Sequence, residues 1–549
     1  MMNKITLVTV LTVMTLSLSA RVNWHEGGDR FAHIKQAPFS SKDLSIPQYE
    51  VIDLSFELKT PVDKPFSVSF GAYLRGPNGE NMKLPGYFNG NKQWVLRFSA
   101  STQGDWNFTT YSDVKGLEGK TGKILVVAGN QTKHGSIGIC ASNQNKFCYE
   151  DGTPYNLQAF ELDWLFALDY DNPTATPKAD RLVGLLAQNG INQIVTTVYS
   201  YEVEWEKDEL LAAHPEHEFG SKEEIFPFLG TNSQPDFSAL NIRFFQKFDR
   251  MVSLLDRHDI VAHMMIYVWN KQVNWPPAES EADNLYFDYI IKRYQAFPNV
   301  IWDVSKEALN NPRCTEAYGR ERIRRIDSLD AYDRLVSVHD YGFCQRNTDV
   351  VDFISTQNWS IRLYTEMLKL SQAYEKPIFN IEHGGYEQSP YTVFPGAYDN
   401  PEFCLRRNYL CYFAGAYATY YWQGAAWNVI IYNPFEQSEA FPKPKFEYYK
   451  HLEAFWEEMN YESLEPYPQG NSTGYCLKSH DDSLFLFYIP KEMYQITFYT
   501  QKGAGKRSGT YQWFNVYTGE YTKEMEYQEI FLKSPWSNIA DAILIRRLQ

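Results

Sequence analysis

Residues 287–307 read FDYIIKRYQAFPNVIWDVSKE, and two periodicities meet inside them. Up to Phe297 the apolar residues recur at helical spacing. After Pro298-Asn299, the run Val300–Val304 has the short apolar character of a buried strand. The run closes on Lys306 and Glu307. A helix that feeds a strand ending on charged residues is the repeating unit of a parallel α/β sheet.

Working outward from this stretch, the same rhythm extends over residues 140–460. Strands are expected at Tyr155–Phe160, Ile191–Val198, Ile260–Tyr267, Val300–Val304, Arg334–His339, Val351–Gln357, Pro377–Glu382 and Thr419–Ala426. Amphipathic helices are expected at Lys178–Gln188, Leu240–Asp256, Glu281–Phe297, Glu316–Leu329 and Ile361–Tyr374, with weaker ones after the seventh and eighth strands. Eight such units point to a (β/α)8 TIM barrel. The alternative is an open doubly wound sheet, whose dinucleotide-binding form would need a Gly-rich turn after an early strand, and no such turn is present.

Both flanks alternate in the strand manner instead. Over residues 46–128, Ile52, Leu54, Phe56 and Leu58 face one way, and Phe66, Val68 and Phe70 repeat the pattern. Turns follow at Gly76–Gly79 and Asn89–Asn91, then strands at Trp94–Phe98, Trp106–Thr110 and Ile124–Val127, which makes an N-terminal β-sandwich. Residues 465–549 repeat the signal at Leu484–Ile489, Gln495–Tyr499, Tyr511–Val516 and Ala542–Ile545, a C-terminal β-sandwich. The expected class is therefore multidomain α/β.

Composition narrows the function. The 549 residues carry a net charge of −15, and the densest basic runs, Arg320–Arg325 and Lys502–Arg507, are short, so no nucleic-acid partner is expected. The 14 Trp, 39 Tyr and 35 Phe suit either packed β modules or stacking on sugars. Lys4, the apolar run Ile5–Leu18 and the small residues Ser17, Ser19 and Ala20 read as a signal peptide over residues 1–20, too short to span a bilayer. A buried first strand is the alternative. The expectation is an exported protein, periplasmic or extracellular, with no membrane span. Seven cysteines include Cys140 and Cys148, spaced to bridge a short turn, but no CxxC pair, so no metal or other cofactor is implied. His214 and His217 read as a solvated pair in a loop.

In a barrel, chemistry gathers at the C-terminal strand ends. Glu307 follows the fourth strand and Glu382 ends the seventh, 75 residues or three βα units apart. Strands four and seven lie across the barrel mouth from each other. Two carboxyl groups facing there are what a retaining glycosidase needs, one as acid/base and one as nucleophile. Other strand-end side chains suited to lining a sugar site are Asp163 and Trp164, Trp269, His339 with Asp340, Gln357 and Trp359, His383 and Tyr386, and Trp422 and Trp427.

The stretch ending in VSKE resembles the fourth-strand signature of clan A glycoside hydrolases, and KPIFNIEHGG (376–385) resembles their seventh-strand nucleophile segment. DGTPYNLQAFELDWL and FPFLGTNSQPDFSALN are similar to the apiosidase-like barrels of that clan. LPGYFNG and WVLRFSASTQGDWNF resemble the Ig-like module that precedes such barrels, and the last sandwich resembles a collagen-binding-like module. The resemblance, covering about residues 46–549, implies a carbohydrate substrate, Glu307 as acid/base and Glu382 as nucleophile. It departs at Lys306, where the clan has an Asn that bonds the sugar 2-hydroxyl. Lys306 either meets an anionic group on the substrate or pairs with a neighbouring acid. A non-catalytic glycan-binding or adhesion protein is the rival reading; a metal-assisted hydrolase using His339 and His383 has no ligand spacing to support it.

Overall fold

A computed structural model describes residues 34–548, apart from residues 43, 173–174, 205–208, 219–221, 311, 341, 384–385, 388–399, 423–428, 438–442, 499–507 and 528–530. The segment expected to direct export, residues 1–20, lies outside the described residues.

The strand–helix rhythm closes into a ring. Its parallel strands are β1 (Gln158–Glu161), β2 (Gln193–Thr197), β3 (Val261–Val268), β4 (Val300–Lys306), β5 (Val336–His339), β6 (Ile354–Gln357), β7 (Ile378–Glu382) and β8 (Ala416–Trp422). They bond in the order β5-β4-β3-β2-β1-β8-β7-β6, which is chain order around a barrel with a seam between β5 and β6. The seam is laced rather than open. Asp352 N donates to Val336 O at 2.9 Å, and Val336 N donates to the Asp352 carboxylate at 2.7 Å.

Around the ring lie α1 (Pro177–Ala187), α2 (Ile242–Arg257), α3 (Glu281–Tyr294), α4 (Glu316–Leu329), α5 (Leu363–Ala373), α6 (Pro401–Phe413) and α7 (Phe446–Met459). Local chemistry sets their starts. Asn241, Ser280, Thr315 and Asn400 each accept a backbone N–H of the first turn of α2, α3, α4 and α6. Gly415, at φ +81°, ends α6 in the left-handed region, and β8 begins directly after it, three residues earlier than expected. Residues 423–426, also expected in that strand, lie outside the described residues.

Two elements differ from expectation. The alternating run Phe66–Phe70 is not one strand. Pro65 starts a 3-10 turn over Pro65–Ser67, and the strand runs from Phe70 to Arg75. Between β2 and α2, where no element is expected from the sequence, Phe228–Gly230 and Pro235–Leu240 pair as a hairpin. The hairpin buries Phe228 and Leu240 against the barrel helices.

The N-terminal unit is two packed sheets. One contains Ile52–Glu57 and Gln93–Phe98, the other Phe70–Arg75, Gly104–Ser112 and Thr121–Val127. Ile52, Leu54, Leu96 and Phe98 from the first meet Ala72, Leu74, Phe108 and Ile124 from the second in their shared core. The C-terminal unit is a six-stranded sheet with a separate two-stranded pair, Gln495–Thr497 with Phe531–Lys533. Alternation divides the Leu484–Ile489 strand between two cores. Leu486 and Tyr488 join the barrel core, while Phe485, Phe487 and Ile489 join the outer one.

Buried charge joins these units. Arg97 of the first sandwich bonds Asp53 at 2.7 and 2.9 Å, then reaches Asp249 of α2 at 3.1 and 3.2 Å and the Arg293 carbonyl of α3 at 2.9 Å. Asp249 also accepts from Arg293 at 2.8 and 2.7 Å. Against the burial that would raise it, Arg293 and Arg97 hold the Asp249 carboxyl below its ordinary value. On the opposite flank, Arg406 of α6 clasps Asp541 at 2.8 and 2.7 Å.

Because Asp249 answers two buried guanidinium groups, Asp249→Asn leaves both partly uncompensated. A loss of about 3–5 kcal/mol is expected. The check is the denaturant midpoint of wild type and variant at pH 7; an unchanged midpoint would sink this account of the interface.

Candidate active site

Each of the two acids singled out by the strand-end rule sits just past an irregularity in its strand. In β4 the register passes from Asp303 opposite Ser337 to Lys306 opposite His339, so β4 carries one extra residue. In β7 it passes from Asn380 opposite Thr356 to Glu382 opposite Gln357, again one extra residue. A bulge re-aims the side chains that follow it. Both kinks are held by side chains. Asp303 Oδ1 accepts from Ser305 N and His339 N, each at 3.0 Å. Asn380 accepts from Asn358 N at 2.9 Å and donates to Asn358 O at 3.2 Å. Glu307 then stands at φ +49°, the left-handed region that a side chain rarely occupies without compensation.

The Glu307 carboxylate is half-buried and receives two amides: Asn270 Nδ2 at 2.7 Å and Gln357 Nε2 at 3.4 Å. Gln357 Oε1 accepts from His339 Nε2 at 3.0 Å, and that nitrogen lies 3.8 Å from Glu382 Oε2. One short polar chain therefore connects the two acids. Glu382 is only 2% exposed. Burial pushes its carboxyl up to about 7; Lys306 opposes that rise and Glu307 adds to it.

Beneath them lies a buried ion cluster. Lys306 Nζ contacts Glu161 of β1, and stands 3.3 Å from Asp163 and 3.5 Å from Glu382. Lys271 adds a second cation, 3.0 Å from the same Asp163 oxygen. Burial, together with Asp163 and Glu382, drives the Glu161 carboxyl well up despite Lys306. Asp163 goes the other way: although burial raises it, Lys271 and Lys306 pull it well down. Lys306 stays firmly charged, since its acids outweigh its own burial. Two lysines thus share the cluster with three acids, and it is Asp163, between both of them, whose charge they favour most.

Of the two readings of Lys306, the geometry takes the second. Its ammonium faces Glu161, Asp163 and Glu382, the neighbouring acids of that reading. Other expected sugar contacts are likewise internal. Trp164 is fully buried with Lys271 over its ring, and Asp163 is fully buried in the ion cluster. His383 is fully buried between Thr419 O, at 2.6 Å, and Arg407 Nε, at 3.4 Å; burial, then the Arg407 charge, bring its ring down to about 3. Trp269 is taken up by Tyr267, stacked at 4.8 Å, and by Arg313 over its ring. Asp340 caps the loop after β5 and accepts from Leu309 N at 2.8 Å, which steadies the turn carrying Glu307. Each of these side chains packs against protein partners, and strand-end position alone says nothing of which way a side chain turns.

Gln357 and His339 join the acids, and Trp359 is half-buried beside them in sequence. Tyr386–Glu387 runs as a short parallel strand beside β8, with Tyr386 opposite Tyr421 and Glu387 opposite Trp422. The side chains of Tyr386 and Trp422, and Trp427, lie outside the described residues. Three participants were not singled out: Glu161, Asn270 and Lys271. Glu161 is the last residue of β1 and satisfied the strand-end rule; Asn270 and Lys271 directly follow Trp269. A cleft of about 1320 Å³ lies elsewhere, between the first sandwich and α3, and none of these acids lines it.

A family model for the apiosidase-like catalytic domain matches residues 142–463, more than half of the chain. The chain belongs to the apiosidase-like family. A second model, a domain of unknown function, matches residues 45–113 within the first sandwich. No curated protein matches the chain in sequence. Among solved structures, the fold is similar to a candidate glycoside hydrolase from Bacteroides vulgatus ATCC 8482, at TM-score 0.74 and 18% identity, covering 92% of this chain and 100% of that one. It is also similar to a glycoside hydrolase family 5 protein from the same organism, at TM-score 0.56 and 15% identity, covering 76% and 93%. At these identities the likeness speaks for the fold alone, a (β/α)8 barrel with flanking sheets. Among the described residues, no helix is long and apolar enough to cross a membrane.

The raised Glu382 carboxyl makes stability depend on pH with a definite sign. A carboxyl that titrates near 7 when folded and near 4.5 when unfolded binds more protons in the folded state. Its stabilising effect is complete below the unfolded value and is lost as pH rises through 7. Between pH 5 and 7.5 the wild type should lose about 2 kcal/mol more than Glu382→Gln, read from urea midpoints at the two pH values. Equal slopes would remove this carboxyl from the titration.

Proposed function

We propose that the protein is an exported retaining glycoside hydrolase that cleaves a complex plant or algal glycan by double displacement, with Glu307 as acid/base and Glu382 as nucleophile. The observation that carries this reading is the pair of bulged strand ends, β4 and β7, which turn two acids toward one polar chain. Membership of the apiosidase-like family supports the substrate class.

Glu307 passes its proton to the leaving glycosidic oxygen while Glu382 attacks the anomeric carbon. Water then enters, gives a proton to Glu307, and releases the sugar from Glu382 with its configuration retained. The nucleophile must be ionised, which its burial opposes; Lys306, 3.5 Å away, supplies the compensating charge. Asn270 and Gln357 hold the Glu307 carboxyl in place through both its oxygens. Export rests on the signal-like residues 1–20, and the Cys140–Cys148 disulfide fits an oxidising compartment.

Glu307→Gln and Glu382→Gln are each expected to lower turnover on the responsive glycan by a factor of at least about 10². The panel should include apiose-bearing glycans, with product configuration followed by proton NMR. A variant with near-normal rates would overturn the assignment, and inverted product would overturn the double displacement. Saturable binding without turnover of any glycan would favour the glycan-binding reading instead.

The acidic limb of kcat/KM should fall near pH 7, where Glu382 ionises. Lys306→Met removes the cation that favours the carboxylate, so the limb should move to higher pH, by about 1 unit or more. A limb that stays in place would mean that Lys306 does not control Glu382.

A further inference from the structure

We propose that His214, Glu216 and His217 form a binding site for a single divalent metal ion of the zinc type. The site lies on the loop between β2 and α2, apart from the two acids. Sequence reading took the two histidines as a solvated pair, but the backbone brings them together. Pro215–His217 is a 3-10 turn with His214 as its leading residue. Three residues per turn place positions 214 and 217 on one face, one above the other. Their rings accordingly stack at 5.5 Å and 17°. Glu216 joins them: its Oε1 lies 3.1 Å from His214 Nδ1 and 3.9 Å from His217 Nε2.

One ligand atom from each of the three side chains falls within 4.8 Å of the others. Zinc binds imidazole nitrogen and carboxylate oxygen at about 2.0–2.2 Å, which sets tetrahedral donors about 3.4 Å apart. Closing that gap takes small rotations of side chains that are exposed or half-buried. Two imidazoles and one carboxylate are a borderline donor set, suited to zinc and its neighbours rather than to calcium or magnesium. The three residues leave further coordination positions to water. Gln437 comes to the His217 ring from the segment after β8, with Nε2 3.0 Å from His217 Nε2.

The location gives the ion something to do. Ile430 N donates to His217 O at 2.8 Å, and Glu218 pairs with Val429 in an isolated antiparallel bridge. The turn therefore fastens the loop after β2 to the chain after β8, both at the C-terminal end of the barrel. An ion on the turn would lock this clasp. Neither Glu307 nor Glu382 belongs to the cluster, so the inference stands or falls independently of the glycosidase reading.

The test uses the full chain, stripped of metal with a chelator and titrated with Zn²⁺ by calorimetry and with Co²⁺ by visible absorption. One saturable equivalent is expected, with Co²⁺ giving ligand-field bands of low coordination number. Removing an outer partner of a metal ligand costs about 10–100-fold in affinity, so His214→Ala or His217→Ala should cost at least about a hundredfold. His480→Ala, an exposed histidine of the C-terminal unit, should change nothing. Zn²⁺ should raise the melting temperature of wild type and of Glu307→Gln, but not of the two histidine variants, whose metal-free melting should match wild type. Absence of a saturable equivalent overturns the proposal. So does binding that survives His214→Ala and His217→Ala combined in one chain, or a Zn²⁺ stabilisation that the histidine variants keep.

Discussion

The ammonium of Lys306, closed off from water among three carboxyl groups, is the constraint on which the candidate site depends. An isolated charge in such a place is costly, and breaking a buried pair by removing one partner typically costs 3–5 kcal/mol. Here the cost is met by distribution. Burial works against charge on Glu161, Lys306 and Lys271 favour it on Asp163, and Lys306 also faces Glu382. β1, β3, β4 and β7 each contribute a member at or just beyond their ends, so the cluster also ties opposite walls of the barrel together. The nucleophile proposed here is thus one corner of a structural ion cluster, and its ionisation cannot be tuned without affecting the packing below it.

A second polar layer sits under that cluster. Gln193 of β2, His263 of β3 and Asp303 of β4 run in a row, with His263 Nδ1 3.2 Å from Gln193 and Nε2 3.0 Å from Asp303. The other oxygen of Asp303 holds the two backbone amides that shape the bulge before Glu307. Buried polar groups must find partners, and this row is fully occupied doing so. The conformation of the acid at the rim is therefore set two layers down. That is how a non-glycine residue can be kept at positive φ.

The barrel was legible because its evidence is periodic and repeated. Eight apolar runs alternating with amphipathic helices leave little else to build, and position alone singles out Glu307 and Glu382 as the candidate pair. Direction was not legible. Asp163, Trp164, Trp269 and His383 all lie at strand ends, yet each turns into the protein, because the deciding partners are remote in sequence: Lys306 for Asp163, Arg313 for Trp269, Arg407 for His383. Phe66 shows the same limit on a small scale. Its alternation with Val68 and Phe70 suits a strand, but Pro65 fixes a turn, and Phe66 packs outward on Phe88 and on Tyr289 of α3.

Lys306 is also where this chain parts from the clan it resembles, whose Asn at that position bonds the sugar 2-hydroxyl. An amide in that place spends its hydrogen bond on the substrate, where it strengthens in the transition state. A lysine turned inward spends its charge on the nucleophile instead, whether or not a sugar is bound. On the reading proposed here, stabilisation delivered at the substrate is exchanged for a cation that favours the ionised nucleophile against its own burial. The contact to the 2-hydroxyl must then come from another group at the rim. Asn270 and Gln357, the two amides bonded to Glu307, are described side chains in that neighbourhood.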